Sequence, residues 1–303
     1  MTTLENFDMA QTFQLDGLDV RGRLVRLGPA LDEVLNAHGY PDVVADMLAQ
    51  TLVLGATLAS ALKYDGLFTL QVQSDGPISL LVADLTSDGE LRGYARYDDE
   101  RVAQAALEKG AVVPRLLGNG HLAFTVDQGD DMERYQGVVA LEGATLAACA
   151  QTYFRDSEQL ETVIFLGSET GSSGNTAGAV MVQRMPKDAN DDGDTAEEDW
   201  RRVVVLLASL KLEELLDPTL EIEQILYRLY HEDGIRAFDP KGLTHKCRCS
   251  REKVVTTIKS FPRDEVVNDE GSAHVNCEFC TTDYDFSPAD LDEIYDKTDD
   301  ETA

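Results

Sequence analysis

"LFTLQVQSDGPISLLVA", residues 67–83, places two strand-like apolar runs on either side of the turn-forming tetrad Ser74-Asp75-Gly76-Pro77. Asp, Gly and Pro each favour a tight reversal, so the two runs are expected to pair antiparallel. "LRGYAR" (91–96) and "HLAFTV" (121–126) repeat the pattern behind Ser87-Asp88-Gly89 and Asn119-Gly120 turn signals. Together the four runs predict an antiparallel meander. Beyond them come "YQGVVAL" (135–141), a helical segment "ATLAACAQTYF", and two further strand-like runs, "TVIFL" and "AGAVMVQRM". Upstream, "LDGLDVRGRLVRLG" alternates as a strand does, and a helical segment follows from about Leu31. A longer helix is expected from about Pro41 to Lys63, with Val44, Leu48, Leu52, Gly55, Ala59 and Leu62 along one face. Its small residues Gly55, Ala56, Ala59 and Ser60 would allow close approach to a sheet. The predicted fold class is α+β, with a mixed α/β core domain and an antiparallel sheet, ending near Met185.

"PKDANDDGDTAEED", residues 186–199, carries seven acids, one lysine and no bulky apolar residue. Such a segment has too little surface to bury and marks the edge of the core. Two helical segments follow, about Ala196 to Leu216 and Pro218 to His231, the second with Asp217 as N-cap and Pro218 in its first turn. Their apolar residues, among them Val203, Leu206, Leu207, Leu210, Leu215, Ile225, Leu226 and Leu229, require a covering surface. The last 58 residues, from Lys246, hold 13 bulky apolar side chains, too few for a module without a staple. The expected organisation is an α/β core domain (1–186), an acidic connector and helical linker (187–244) and a small C-terminal domain (245–303) that needs a staple.

With 56 acids against 26 bases the net charge is −30, which repels phosphate backbones and anionic lipid surfaces. Nucleic acid and membrane are therefore not expected partners. "MTTLENFDMA" lacks the basic and apolar regions of a secretion signal, and the longest uncharged stretch, Met47 to Leu62 between Asp46 and Lys63, is 16 residues, too short for a bilayer. The expected location is the cytoplasm. In that reducing compartment, clustered cysteines more often hold metal or switch redox state than form permanent disulfides.

Four of the five cysteines gather in "HKCRCSREK" (245–253) and "NCEFC" (276–280). Cys247-x-Cys249, 27 intervening residues, then Cys277-x-x-Cys280 can supply four thiolates to one tetrahedral ion, and zinc accepts four sulfurs as a closed structural site. In small zinc-finger peptides such binding contributes roughly 10 to 16 kcal/mol of folding free energy. The bland alternative is four unremarkable reduced thiols. A C-x-C pair can also close on itself, as a strained and easily reduced disulfide. Lys246, Arg248, Arg251 and Lys253 surround the first pair, whereas Glu278, Asp283 and Asp285 lie near the second. In metal-free protein the first pair is accordingly expected to be the more thiolate-rich.

The chain resembles the redox-regulated heat-shock protein 33 family, also called the 33 kDa chaperonin. The resemblance rests on "GLDVRGRLVRLGPALDEVL", "LKYDGLFTLQVQSDGPISLLVAD", "ERYQGVVALEGATLAACAQTYF", "EQL", "LKLEELL" and "YRLYHED", besides the two cysteine pairs. It implies a cytoplasmic holdase without ATP hydrolysis: a core domain, a helical linker folded over it, and a C-terminal zinc domain acting as a redox switch. It also implies one Zn2+ on Cys247, Cys249, Cys277 and Cys280 in the reduced state. For the oxidised state the resemblance implies that Cys247 pairs with Cys249 and Cys277 with Cys280, that the metal leaves, that apolar surface opens to unfolded client proteins, and that the protein is a homodimer. The family often has Gly directly after the second pair, where this chain has Thr281.

Other features have plainer readings. Cys149, in "LAACA", is expected to be a small core residue. His245 and His274 precede the cysteine pairs, with surface placement preferred over ligation. "GSSGNTAG" (171–178) lacks the Gly-Lys-Ser/Thr ending of a phosphate loop and is read as a hairpin turn. The acidic tail from Asp283 is read as a solvated surface, with "SPAD" at 287–290 as a helix cap. No Ser/His/Asp triad can be assigned from His38, His121 and His231, and the protein is not expected to be an enzyme. Two other classes remain: a C-x-x-C thiol-disulfide oxidoreductase, and a zinc ribbon that binds a partner, for which 15 acids against 7 bases in the tail oppose nucleic acid.

Overall fold

Leu67–Ser74 and Ile78–Thr86 pair antiparallel in the computed structural model, which describes residues 4, 6–129, 132, 134–171, 174–186 and 193–296. In chain order the first elements are β1 (Met9–Leu15), β2 (Val20–Leu27), α1 (Pro29–Asn36), α2 (Asp42–Ser60), β3 (Leu67–Ser74), β4 (Ile78–Thr86) and β5 (Glu90–Tyr97). They continue with α3 (Asp99–Ala106), β6 (Gly120–Asp127), β7 (Tyr135–Ala140), α4 (Leu146–Tyr153), β8 (Thr162–Glu169) and β9 (Thr176–Arg184). The fold is mixed α and β with antiparallel sheets, as the sequence predicts. β8 and β9 form the expected hairpin around 171–175, of which 172 and 173 lie outside the described residues.

The meander is only partly consecutive. β5, β4 and β3 are neighbours, but β6 pairs with β3 instead of β5, and β7 closes that edge. The cause is visible at the β3–β4 turn, residues 74–77. Gly76 N–H donates to the Leu117 carbonyl (2.8 Å), and Asp75 accepts from the Asn119 N–H (2.8 Å), so the segment after α3 is anchored beside the β3–β4 turn. A Cβ on Gly76 would lie 2.3 Å from the Leu117 carbonyl carbon, so this approach requires glycine.

α2 differs from the expected one-faced helix: 14 of its 19 residues are buried, on all sides. It packs against strands of both sheets, which is why it is apolar all round. Its length and mean hydropathy of 1.5 would suit a membrane span, but 78% of that window is buried inside the protein. Cys149 is fully buried in α4, as expected.

The second sheet runs β8, β9, β2, β1 and is completed by strands from beyond the acidic segment, whose residues 187–192 lie outside the described ones. There follow α5 (Gly193–Ala208), α6 (Leu212–Leu215), α7 (Ile222–Tyr230), β10 (Ile235–Ala237), β11 (Lys241–Gly242) and β12 (Thr244–His245). β10 and β11 pair with β1, and β12 adds a parallel strand to β5. The first expected helix is thus broken at 209–211. Asp217 does not cap the second: its carboxylate accepts from the Thr219 N–H and hydroxyl, while Glu221 and Gln224 form the capping box of α7.

The apolar residues of these helices find their cover on the outer face of this sheet. Trp200, Val203, Leu207, Leu210, Leu215, Ile225, Leu226, Leu229 and Tyr230 bury Phe13, Leu15, Val20, Leu24, Val180 and Val182. Tyr230 stacks on Phe13 with ring centroids 6.0 Å apart, and Arg202 pairs with buried Asp233. Two glycines facing each other across β8 and β9, Gly167 and Gly178, leave a dent that Leu212, Leu215 and Leu216 fill. Arg26 on β2 is fully buried, donating to the Leu220 (2.6 Å) and Glu214 (3.3 Å) carbonyls of the linker. Burial, partly offset by Asp217, pulls its guanidinium down to about 10. The chain divides into two compact units, Met1–His245 and Lys246–Ala303.

Candidate metal centre

The second unit is built on α8 (Arg251–Ile258), α9 (Arg263–Val266), β13 (Ala273–Asn276), β14 (Asp283–Phe286) and α10 (Pro288–Asp296). Its buried core is small: Ile258, Ala273, Phe286, Leu291 and Ile294. Ser250 caps α8 by accepting from the Lys253 N–H, which ends the extended segment carrying Cys247 and Cys249. Ser287 and Asp290 form the expected cap of α10, each accepting from the other's backbone N–H.

Cys277 and Cys280 lie in the turn between β13 and β14. The Cys277 N–H donates to the Thr282 carbonyl (3.0 Å), and the Thr281 N–H donates to the Cys277 carbonyl (2.8 Å). Thr281 has φ of +56°, the left-handed conformation that favours glycine. The Thr281 departure therefore leaves the turn in place but puts a β-branched residue where it is strained.

The four cysteines come together. All four sulfurs lie within 4.8 Å of one another, with Cys247 Sγ 3.7 Å from Cys277 Sγ and Cys249 Sγ 3.4 Å from Cys280 Sγ. Each is half-buried and none is disulfide-bonded. Four thiols at this spacing form a donor set that could hold one metal ion.

Two hydroxyls surround the sulfurs. Tyr284 Oη donates to Cys249 Sγ (3.1 Å), and Thr282 Oγ1 lies 3.2 Å from Cys280 Sγ. Sequence spacing carries no signal for Tyr284, because only the β13–β14 register, Val275 opposite Tyr284, brings it there. Burial pushes the Cys277 thiol up to about 12 and raises that of Cys249. For Cys280 burial acts the same way, but hydrogen bonds from the Thr282 hydroxyl and N–H outweigh it and bring the thiol down to about 7.

Within the second pair the two thiols are thus pushed in opposite directions, a split that the charges flanking the pairs in sequence do not predict. Arg251 is directed at the Asp285 carbonyl and lies over the Phe286 ring, and Lys253 donates to the Arg248 carbonyl. Neither histidine joins the sulfurs: His245 Nδ1 lies 3.1 Å from Glu33, and His274 lies between Asp283 and Asp285.

A mixed α/β core, helices across one sheet and a four-cysteine cluster later in the chain define a two-unit protein with a thiol donor set, and comparison with known proteins gives its class. The profile of the family described as Hsp33 protein matches residues 8–287. The 33 kDa chaperonin of Caulobacter vibrioides is 42% identical over 291 residues, covering 93% of this chain and 95% of the relative. That of Pseudomonas fluorescens SBW25 is 36% identical over 299 residues, covering 97% and 96%. The crystal structure of the 33 kDa chaperonin from Thermotoga maritima superposes with a TM-score of 0.81 at 24% identity, over 97% of this chain and 99% of that one, a likeness of fold. The chain belongs to the Hsp33 family.

Proposed function

We propose that this chain is a redox-gated, ATP-independent holdase, with 1–186 as core, 187–244 as connector and linker and 245–303 as the switch. The observation that carries the reading is a pairing within one chain. An apolar sheet face lies under α5 to α7, and a four-sulfur cluster begins two residues after the strand, β12, that ends that unit.

In the reduced state Cys247, Cys249, Cys277 and Cys280 hold one Zn2+. A tetrahedral site with Zn–S bonds of about 2.3 Å has sulfurs roughly 3.8 Å apart, which the 3.4 and 3.7 Å separations approach. When bound, zinc supplies a structural staple to a unit whose core is too small to stand alone. Hydrogen peroxide oxidises the pairs Cys247–Cys249 and Cys277–Cys280. Each disulfide forms as two thiolates give two electrons to one peroxide, which takes two protons from solvent and becomes two waters; with both pairs oxidised the four-sulfur donor set that would hold Zn2+ is lost. Fraying of the second unit then passes along the chain through His245 and β12 to the linker, whose release exposes the apolar face of β1, β2 and β9 to unfolding clients. The oxidised form is a homodimer, and the protein acts in the cytoplasm.

The protein is not an enzyme on this reading. The C-x-x-C sits in a β-hairpin turn instead of at a helix N-terminus, which weighs against a dithiol oxidoreductase. The test is suppression of citrate synthase aggregation without nucleotide, beside insulin reduction. The holdase suppresses stoichiometrically and only after oxidation; substoichiometric insulin reduction would replace it with the enzyme.

A further inference from the structure

A cavity of about 510 Å³ opens where the C-terminal end of α2 meets strands of both sheets, far from any cysteine pair in sequence and wholly within the first unit. Its wall is aromatic. Phe68 on β3 stacks on Phe124 of β6 with centroids 6.0 Å apart, and Tyr153 meets Phe124 edge-on at 4.7 Å. Pockets of this size and character, roughly 300 to 1,000 Å³ and mostly apolar with a few polar groups, are the usual form of small-molecule sites.

Cations outnumber anions three to one among the charged groups of the lining. Arg21, Arg23 and Lys63 line the cavity. Arg21 and Arg23 are two residues apart on β2 and share a face. Arg23 Nε donates to the Ser60 carbonyl at the end of α2 (3.1 Å), and its Nη1 to the Gly22 carbonyl. Among the described residues none of the three cations has an ion-pair partner. In a chain where acids outnumber bases 56 to 26, unpaired cations gathered at one cavity are unexpected from composition. The one carboxylate in the lining, Glu158, is engaged by the hydroxyls of both Tyr135 and Tyr153.

We propose that this cavity binds an amphipathic monoanion, with a carboxylate or sulfonate head held by Arg21, Arg23 and Lys63 and an apolar body against Phe68, Phe124 and Tyr153. The site owes nothing to the sulfur cluster, so it is present in the reduced, metal-loaded protein. Charge-assisted hydrogen bonds give the head its selectivity, and the aromatic wall takes the tail.

The test is calorimetric titration of the full-length reduced protein with dodecanoate, below its micelle-forming concentration, and with dodecanol as the neutral analogue. Expected is one dodecanoate per chain with Kd of the order of 10 μM. Affinity for dodecanol should be at least roughly tenfold weaker, as should that of the Arg21→Gln/Lys63→Gln variant for dodecanoate. Both replaced side chains are exposed, so the variant keeps its fold. Hydrogen exchange should slow at residues 58–63 and 121–127 on binding. The proposal is overturned if dodecanoate fails to bind at millimolar concentration, if dodecanol binds equally well, or if the double variant binds dodecanoate unchanged.

Discussion

Replacing Gly178 by valine should undock the linker without touching a cysteine. A Cβ at this position would lie 2.7 Å from Leu215 Cγ, 2.9 Å from Leu215 Cδ2 and 3.1 Å from Leu216 Cδ2. Carbon pairs rest at about 3.5 to 4.0 Å, so α6 must lift by roughly an ångström, and valine's two further methyls enlarge the clash. Leu215 is fully buried and has no room to turn aside. Overpacking of this kind costs about 1 to 3 kcal/mol, a shift of about 5- to 150-fold in the docking equilibrium. Trypsin should cut the reduced variant faster at Arg201, Lys211 and Arg228, and the reduced variant should suppress client aggregation before any oxidant is added. Adding Leu215→Ala should reverse much of both effects, since it removes the group that clashes. Unchanged proteolysis and an inactive reduced variant, with α2 still protected from hydrogen exchange, would refute the reasoning.

Three further outcomes follow from other residues. Arg26→Glu would set a buried anion against the Leu220 and Glu214 carbonyls; it should destabilise linker docking by about 3 to 5 kcal/mol, seen as the same proteolytic opening. Thr281→Gly should relieve the left-handed strain in the second cysteine turn by about 1 kcal/mol, slowing zinc transfer to a chromophoric chelator about fivefold. In metal-stripped protein, Cys280 at about 7 is half thiolate at neutral pH and Cys277 at about 12 is protonated there. Iodoacetamide at pH 7 should therefore modify Cys280 first, with Cys277 following only in strong alkali; equal rates by mass spectrometry would count against the geometry.

The legible parts of this fold were those with local signals. Turn residues such as Ser74-Asp75-Gly76-Pro77 announce the hairpin they form, and the cysteine spacing announces a cluster. β1, Met9–Leu15, passed unread because only β2, β10 and β11 beside it make a strand of it. The place of β6 next to β3 depends on Gly76 and Asn119, 43 positions apart, which no periodicity records. Of the basic residues near Cys247, Arg251 and Lys253 are directed at backbone carbonyls, while Thr282 and Tyr284, which touch the sulfurs, do so through strand register. Buried Arg26 and the Gly167–Gly178 dent have meaning only once the linker is seen lying on them.

The most direct test of the central claim follows zinc and activity together. Reduced protein is loaded with metal and treated with hydrogen peroxide at elevated temperature, while zinc release and suppression of citrate synthase aggregation are recorded on one time base. The account predicts one zinc per chain at the outset, no suppression, and a rise in suppression that tracks metal loss. Full suppression by the zinc-loaded protein, or a reduced protein that binds no metal, would contradict it.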